Sequence, residues 1–267
     1  MDCVEVSQNE KLPVSLVVIT LNEEQNIGRC LNSVDWVSDK VVLDSLSTDS
    51  TVEIAKSLNA RVFQEAFRGF REQKARATEI AKYDWVLSLD ADEALSPELS
   101  HELKSLMETE LNKPSSGFDG VEMPRLSYYL GRWIRYGGWY PDWQLRLFHR
   151  KNSQWVGGHV HEKVQCTRTV KTKSSLLHWV FKDLSDQVAT NNEYSTKGAL
   201  DLREKQQSFS CAKLVFKPLS KFLETYIWKR GFLDGLAGFI IAVGAAYSVF
   251  LKFSKLWELG EKERKND

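Results

Sequence analysis

The chain has 267 residues, with 36 Lys and Arg against 36 Asp and Glu, so its formal net charge is zero. That length buries a substantial core, as one large domain or as a domain with an appendage. A neutral chain argues against a general nucleic-acid binder, which is basic overall, and no nucleic acid is expected as a partner. Cys3, Cys30, Cys166 and Cys211 are scattered and form no Cys-x-x-Cys pair, which reads as reduced thiols in the cytosol. The opening residues have neither the basic nor the apolar stretch of a secretory signal, so the folded part is expected in the cytoplasm.

A β-branched run at 14–20 reads as a buried parallel strand ending on Thr20. Asn22-Glu23-Glu24 then opens a helix that carries Ile27, Cys30 and Leu31. A second strand at 40–44 ends on Asp44 and runs into a polar turn. The helix after it carries Val52, Ile54, Ala55 and Leu58, with Thr48 or Asp49 as its N-cap. A third strand at 61–63 and a helix at 71–82 lead to the apolar run 85–89, which ends in Asp90-Ala91-Asp92 with Glu93 next. Repeated βα units imply a parallel sheet with ligands at the strand C-termini, where Thr20, Asp44 and Asp90 all fall. Two hard oxygen ligands one residue apart suit Mg²⁺ or Mn²⁺ shared with a diphosphate, whereas on a plain loop they would be solvated carboxylates.

Between 118 and 160 the chain is rich in rings, among them Tyr128, Trp133, Trp139, Trp143 and Trp155, interleaved with Arg125, Arg132, Arg135 and Arg146. Flat rings stack on sugar faces and guanidinium groups match phosphate, as a phosphorylated saccharide would require. The same interleaving occurs in single-strand nucleic-acid binders, but the βα pattern upstream argues against that reading. Most of the tryptophans are expected in the core or at an interface, and His178-Trp179 is read as packing.

Lys213, Lys217, Lys221 and Lys229 recur at multiples of four, and residues 211–230 hold five basic residues against one acid. Pro218 suits a first turn, so the regular helix is expected at 218–230, with Leu219, Phe222, Leu223 and Tyr226 on one face. Such a helix lies on an anionic bilayer or packs on protein. Residues 235–251 are uncharged over 17 positions, short of the roughly 20 a span requires, and read as membrane-dipping or helix-packing. Gly231 and Gly235 permit close helix approach and a homo-oligomer through the C-terminal helices. The charged tail is expected to fray.

Three motifs carry a family resemblance: residues 18–23, residues 42–49 and Leu89-Asp90-Ala91-Asp92-Glu93. In this order and spacing they resemble glycosyltransferase family 2 with its GT-A fold. Residues 140–148, Val160-His161-Glu162 and 231–235 are similar to its WaaE-like branch of lipopolysaccharide-core glucosyltransferases. Leu46 and Ser50 stand where the family usually has glycines, which bears on the geometry of the turn after Asp44. The resemblance implies an α/β chain: a GT-A domain, its mostly parallel sheet flanked by helices, with a C-terminal helical membrane-associating appendage. The expected divisions are a tail at 1–12, the catalytic domain at 13–205 (donor half 13–100, acceptor half 101–205), membrane-associating helices at 206–257 and a charged tail at 258–267.

The resembled activity is metal-dependent, inverting transfer of a hexose from a nucleotide-sugar donor, UDP-glucose, to a lipid-linked saccharide of the lipopolysaccharide inner core or a similar envelope glycan. Asp92 would hold Mg²⁺ or Mn²⁺, and Asp90 would bind the donor ribose or the same ion. Asp44 would accept the imide N–H of uracil, with Thr20, Asn22 and Glu23 lining the donor site. Arg71, Gln73 and Lys74 either reach the donor or form a solvated helix face. Asp142 is the expected general base and Glu162 the runner-up. His161 is a metal ligand or an acceptor contact, or with His159 an ordinary loop histidine. Arg146 holds phosphate or pairs with a carboxylate. The enzyme is expected to attach peripherally to the inner face of the plasma membrane. Two other readings stand beside this one: transfer to a polyprenyl phosphate, and a non-catalytic module that binds nucleotide sugar at the membrane.

Overall fold

The computed structural model describes residues 11–113, 117–157 and 162–264. Four parallel strands come first: β1 Leu12–Thr20, β2 Val37–Asp44, β3 Arg61–Gln64 and β4 Trp85–Asp90, in sheet order β3-β2-β1-β4. The helices α1 Ile27–Asn32, α2 Thr51–Ser57 and α3 Phe70–Ile80 connect them. Both faces of β1, β2 and β4 are largely buried, which explains their near-continuous apolar runs, while β3 is the half-exposed edge. Val14, Leu16 and Val18 pack with Ile27, Leu31 and Ala55 on one side. Val17, Val41 and Leu43 pack with Ala77 and Ala81 on the other.

The chain continues through β5 Glu93–Leu95 and α4 Pro97–Leu111, where the Ser96 hydroxyl accepts the Leu99 N–H at 3.1 Å as an N-cap. Seven further strands follow: β6 Gly120–Tyr129, β7 Arg132–Ile134, β8 Asp142–His149, β9 Ser153–Val156, β10 Lys163–Cys166, β11 Thr169–Lys171 and β12 Leu176–Trp179. They extend the sheet as β4-β8-β6-β12-β5, with β8 antiparallel to both β4 and β6. Strands β9 and β10 form a separate hairpin. The result is a mixed sheet, parallel over β1 to β4 and flanked by helices.

The chain groups into two compact units, one formed by residues up to 125 with 142–178, the other by 126–141 with the residues from 179 on. In the second unit, α5 Leu184–Glu204 and α6 Cys211–Leu223 both pack on α7 Gly235–Arg264. Ala199, Phe253 and Leu256 form one small core there, against which Leu214 packs.

Three local expectations are corrected. The helix expected from Asn22 begins at Ile27, because Asn22 sits at φ +54° in the left-handed region. The regular helix expected at 218–230 is instead Cys211–Leu223, with Pro218 inside it. Leu214 and Phe222 anchor that helix by packing, which outweighs the hydrogen bond Pro218 cannot donate. The chain then widens into a π-turn at Glu224–Trp228, closed by Lys229 N–H to the Glu224 carbonyl at 2.8 Å. The charged tail stays helical to Arg264, supported by the Glu258–Lys262 pair at 2.8 Å.

Candidate active site

Strand register brings the predicted positions to one edge: Thr20 lies opposite Asp44, and Ile19 opposite Asp90. The loops leaving β1 and β2 are stitched together there. Asn22 N–H bonds the Ser47 hydroxyl at 2.8 Å, and its side-chain oxygen accepts Thr48 N–H at 2.9 Å. Glu23 N–H bonds the Thr51 hydroxyl at 2.8 Å, while its carboxylate accepts the Asn26 amide at 2.7 Å. Asp44 is enclosed, its oxygens accepting Ser47 N–H at 2.9 Å, the Ser47 hydroxyl and the Gln64 amide at 3.0 Å. Leu46 holds φ +68°, so the turn keeps a glycine-type conformation without a glycine.

An alternating row of carboxylates and cations runs along the ends of the strands. Lys74, from α3, bridges Glu162 at 3.2 Å and Asp90 at 2.8 Å. Arg146, from β8, bridges Asp90 and Glu93, each at 2.5 Å. Arg125, from β6, joins Glu93 at 3.1 Å to Asp142, which it grips through Nε at 2.9 Å and Nη2 at 2.6 Å. Burial opposes charge on Asp90, but Arg146 and Lys74 hold its carboxyl far below the usual range. Burial likewise acts to lower the Arg146 pKa, and Asp90 and Glu93 reverse it, so the guanidinium stays charged. Four acids and three bases in a low-dielectric row stabilise one another only in this alternation.

Asp92 stands beside the row with its carboxylate part-exposed and 3.3 Å from His178 Nε2. Two buried polar atoms near the strand ends have no hydrogen-bond partner among the described residues: Thr20 Oγ1 and Arg146 Nε. Such orphaned groups cost free energy unless something else satisfies them, and at an active site a substrate does. Beyond the row, a cavity of about 550 Å³ is lined by Trp143, Gln144, Arg146, Trp155 and Glu162 among others.

Comparison with known proteins reads directly onto this geometry. The family described as Glycosyl transferase family 2 matches residues 15–176. The chain belongs to glycosyl transferase family 2. The glycosyltransferase is 31% identical to the lipopolysaccharide core biosynthesis glycosyltransferase LpsC of Rhizobium meliloti over 261 residues, covering 93% of both chains. It is 32% identical to an uncharacterized glycosyltransferase of Rickettsia typhi, covering 94% of this chain and 89% of the relative. Among solved structures it is similar in fold to the mannosyltransferase PcManGT of Pyrobaculum calidifontis, solved with GDP-Man and Mn²⁺. That likeness has a TM-score of 0.53 and 13% identity, covering 92% of this chain and 87% of the other.

The remaining predicted residues of the glycosyltransferase divide by burial. Gln73 and Lys74 are buried, Gln73 bonding the Ser45 hydroxyl at 3.2 Å, so the solvated-face reading fails for both. Arg71 is half-exposed and, among the described residues, bonds Glu72 and the Gly157 carbonyl. Of the two readings for Arg146, the structure has the carboxylate pair. His161 and His159 lie outside the described residues. The rings are mostly committed to each other: Tyr128 and Trp179 pack edge to face with Trp133, and Phe181 packs edge to face with Tyr129 and Trp139, which stack on each other. Trp143 is the more open one, with Lys171 Nζ 4.3 Å from its ring centre.

Three residues were not foreseen. Glu93 is fully buried within the short apolar strand Glu93–Leu95, and a lone charge inside such a strand was the available signal. Arg125 pairs with Asp142 across the β6–β8 register, which sequence does not reveal. His178, read as packing, points at Asp92 because β12 pairs with β5 and sets His178 opposite Glu93.

Proposed function

We propose that this family 2 enzyme performs metal-dependent, inverting transfer of glucose from UDP-glucose to a lipopolysaccharide inner-core or similar lipid-linked envelope saccharide. The alternating row from Glu162 to Asp142, with Asp92 beside it, is the observation that carries the reading. The relative named for lipopolysaccharide core biosynthesis supports the acceptor class. Peripheral attachment to the cytoplasmic face of the plasma membrane follows from an acceptor of that kind and from the apolar C-terminal helices.

Among the described residues no three His, Cys, Asp or Glu side chains converge as a ready cage for a metal. That suits Mg²⁺ or Mn²⁺, which keeps one or two protein carboxylates and takes other oxygens from diphosphate and water. Asp92 would hold the ion, with the His178 imidazole and Asp90 next to it. Bound there, the ion supplies Lewis-acid stabilisation of the departing diphosphate.

The chain's own groups do the rest. Lys74 and Arg146 set two buried positive charges at the strand ends, where the leaving group gains negative charge. The unpartnered Thr20 hydroxyl and the second lone pairs of Asp44 address the donor. Asp142 takes the proton from the attacking acceptor hydroxyl, its Oδ2 held by Arg125 and its Oδ1 by the Gln144 amide at 2.8 Å.

The test is nucleoside diphosphate release from UDP-glucose with a truncated core-lipid acceptor and Mn²⁺ or Mg²⁺. Acceptor-dependent turnover is expected to fall by about 100-fold or more in Asp92→Ala and in Asp142→Ala. Turnover indifferent to Asp92→Ala and to chelator would sink the metal assignment. Full activity of Asp142→Ala would move the base to Glu162 or indicate an acceptor that is already ionised.

A further inference from the structure

By length and composition, residues 231–262 qualify as a membrane span. The packing of α7 within the second unit assigns it a different posture. One side of it is tied to α5 by polar bonds. Lys255 Nζ lies within hydrogen-bonding distance of the Asn192 carbonyl at 2.6 Å, the Asn192 side-chain oxygen at 2.7 Å, the Ser195 hydroxyl at 2.8 Å and the Thr196 hydroxyl at 2.7 Å, sharing its three N–H groups among them. The start of the helix is pinned by buried Asp234, whose carboxylate accepts the N–H groups of Arg135 at 3.1 Å and Tyr136 at 2.8 Å. Helix α5 carries exposed Glu193, Asp201 and Glu204 along the same stretch. A hydrocarbon core cannot accommodate that charged companion, so α7 cannot cross a bilayer while so packed.

The opposite side of α7 is an apolar stripe: Leu236, Phe239, Val243, Tyr247, Phe250 and Trp257 are exposed, Leu236 by 73%. At 1.5 Å per residue the stripe runs about 31 Å. Helix α6 has no buried residue and shows a second ridge, Val215, Leu219 and Leu223, beside Phe216 at 66% exposure. Phe222 and Tyr226 pack edge to face with Phe239 and so connect the two apolar strips. By helical period Lys213 and Lys217 fall beside Phe216, at one border of this surface, while Lys221 lies farther round the helix. Among the described residues Lys213, Lys217 and Arg230 have no carboxylate partner, whereas Lys221 and Lys229 both pair with Glu224.

We propose that α6 and α7 together form a monotopic docking surface for an anionic bilayer, with α7 lying in the membrane plane rather than across it. The proposal rests on the membrane attachment proposed above and gives it a geometry. Unpaired lysines at the border of an apolar strip match acidic headgroups. Between two copies of this chain the same lysines would repel.

The full-length protein is mixed with vesicles containing 30 mol% anionic lipid, and partitioning is read by flotation. Phe216→Glu with Trp228→Glu, and separately Leu236→Glu with Val243→Glu, are each expected to reduce binding about tenfold or more. These side chains are exposed, and circular dichroism checks that the variants keep their helix content. Lys213→Gln with Lys217→Gln should cost roughly tenfold on anionic vesicles and nothing on zwitterionic ones. Native Cys211 and an introduced Gly260→Cys report topology in sealed cell-derived vesicles. Neither should react with an impermeant maleimide from the outer side until detergent is added. Labelling of Gly260→Cys from outside would establish a span and overturn the proposal. So would a wild type that ignores vesicles and sediments as a dimer dissociated by Val243→Glu. Failure of docking with undiminished transfer to a soluble acceptor would overturn this inference alone, leaving the enzymatic reading standing.

Discussion

Arg125 shows how one side chain sets the chemistry of another. Its planar fork grips a single oxygen of Asp142 with two bonds, and its third contact is the buried carboxylate of Glu93. Lysine keeps the charge but not the fork, so Arg125→Lys should let Asp142 drift from the acceptor hydroxyl. The expected result is a fall in kcat of about 10- to 100-fold with the donor KM little changed, checked by steady-state kinetics beside thermal melting. A larger effect on KM than on kcat would place Arg125 on the donor instead. Leu46 is a second residue whose role is local. Holding a leucine at φ +68° costs roughly 1–2 kcal/mol, while glycine's extra chain entropy costs roughly 0.5–1 kcal/mol. Leu46→Gly should therefore stabilise the protein slightly and raise its Tm by a few degrees.

At the scale of elements, Asp39 acts as a pin for the parallel half of the sheet. From β2 it accepts the Ser15 hydroxyl of β1 at 2.7 Å, Arg61 of β3 at 2.9 and 3.0 Å, and the Lys82 N–H before β4 at 2.9 Å. Burial acts to raise its pKa, but the bonds from Arg61, Lys82 and Ser15 outweigh it, and the net shift is downward. A depressed folded pKa contributes stability above the unfolded value near 4, and that contribution is lost as pH falls through the folded pKa. Asp39→Asn should thus cost about 1–3 kcal/mol at pH 7, and the gap from wild type should narrow as pH falls below the unfolded value near 4, measured by urea unfolding across pH. A gap unchanged at low pH would show that shape, not charge, is what Asp39 supplies. The α7 start is governed by sterics instead. A Cβ at Gly238 would meet the Gly231 carbonyl oxygen at 1.8 Å, whereas at Gly260 it would meet nothing within 4 Å. Gly238→Ala should destabilise by about 3 kcal/mol, and Gly260→Ala should stabilise by roughly 0.5–1 kcal/mol. The strands that end on Thr20, Asp44 and Asp90 were legible because their apolar runs and terminal carboxylates are local signals. The pairings of Arg125 with Asp142 and of His178 with Asp92 were not, because they depend on antiparallel register between distant segments. Pro218 misled for a related reason: a local breaker lost to the packing of Leu214 and Phe222.

For the whole molecule, zero net charge means that long-range attraction to an acidic surface is absent, and any such attraction must be local. The chain meets this condition by segregation, with the unpaired Lys213, Lys217 and Arg230 gathered beside exposed apolar side chains of α6 and α7. The acids are distributed differently: Asp90, Glu93, Asp142 and Glu162 are paired with cations in the row that includes the proposed base. These two arrangements respond to salt to different extents. The Debye length shortens from about 10 Å at 0.1 M to about 3 Å at 1 M, so exposed lysines are screened while buried pairs are screened far less. Raising salt from 0.1 to 1 M should therefore weaken binding to anionic vesicles by about tenfold without abolishing it, since burial of the apolar stripe does not depend on ionic strength. Transfer to a soluble acceptor should change by less than about twofold over the same range. Measured together, vesicle flotation and soluble-substrate turnover separate the two charge systems. Turnover that falls in parallel with flotation would mean that the row is open to solvent and that its alternation does not shield it.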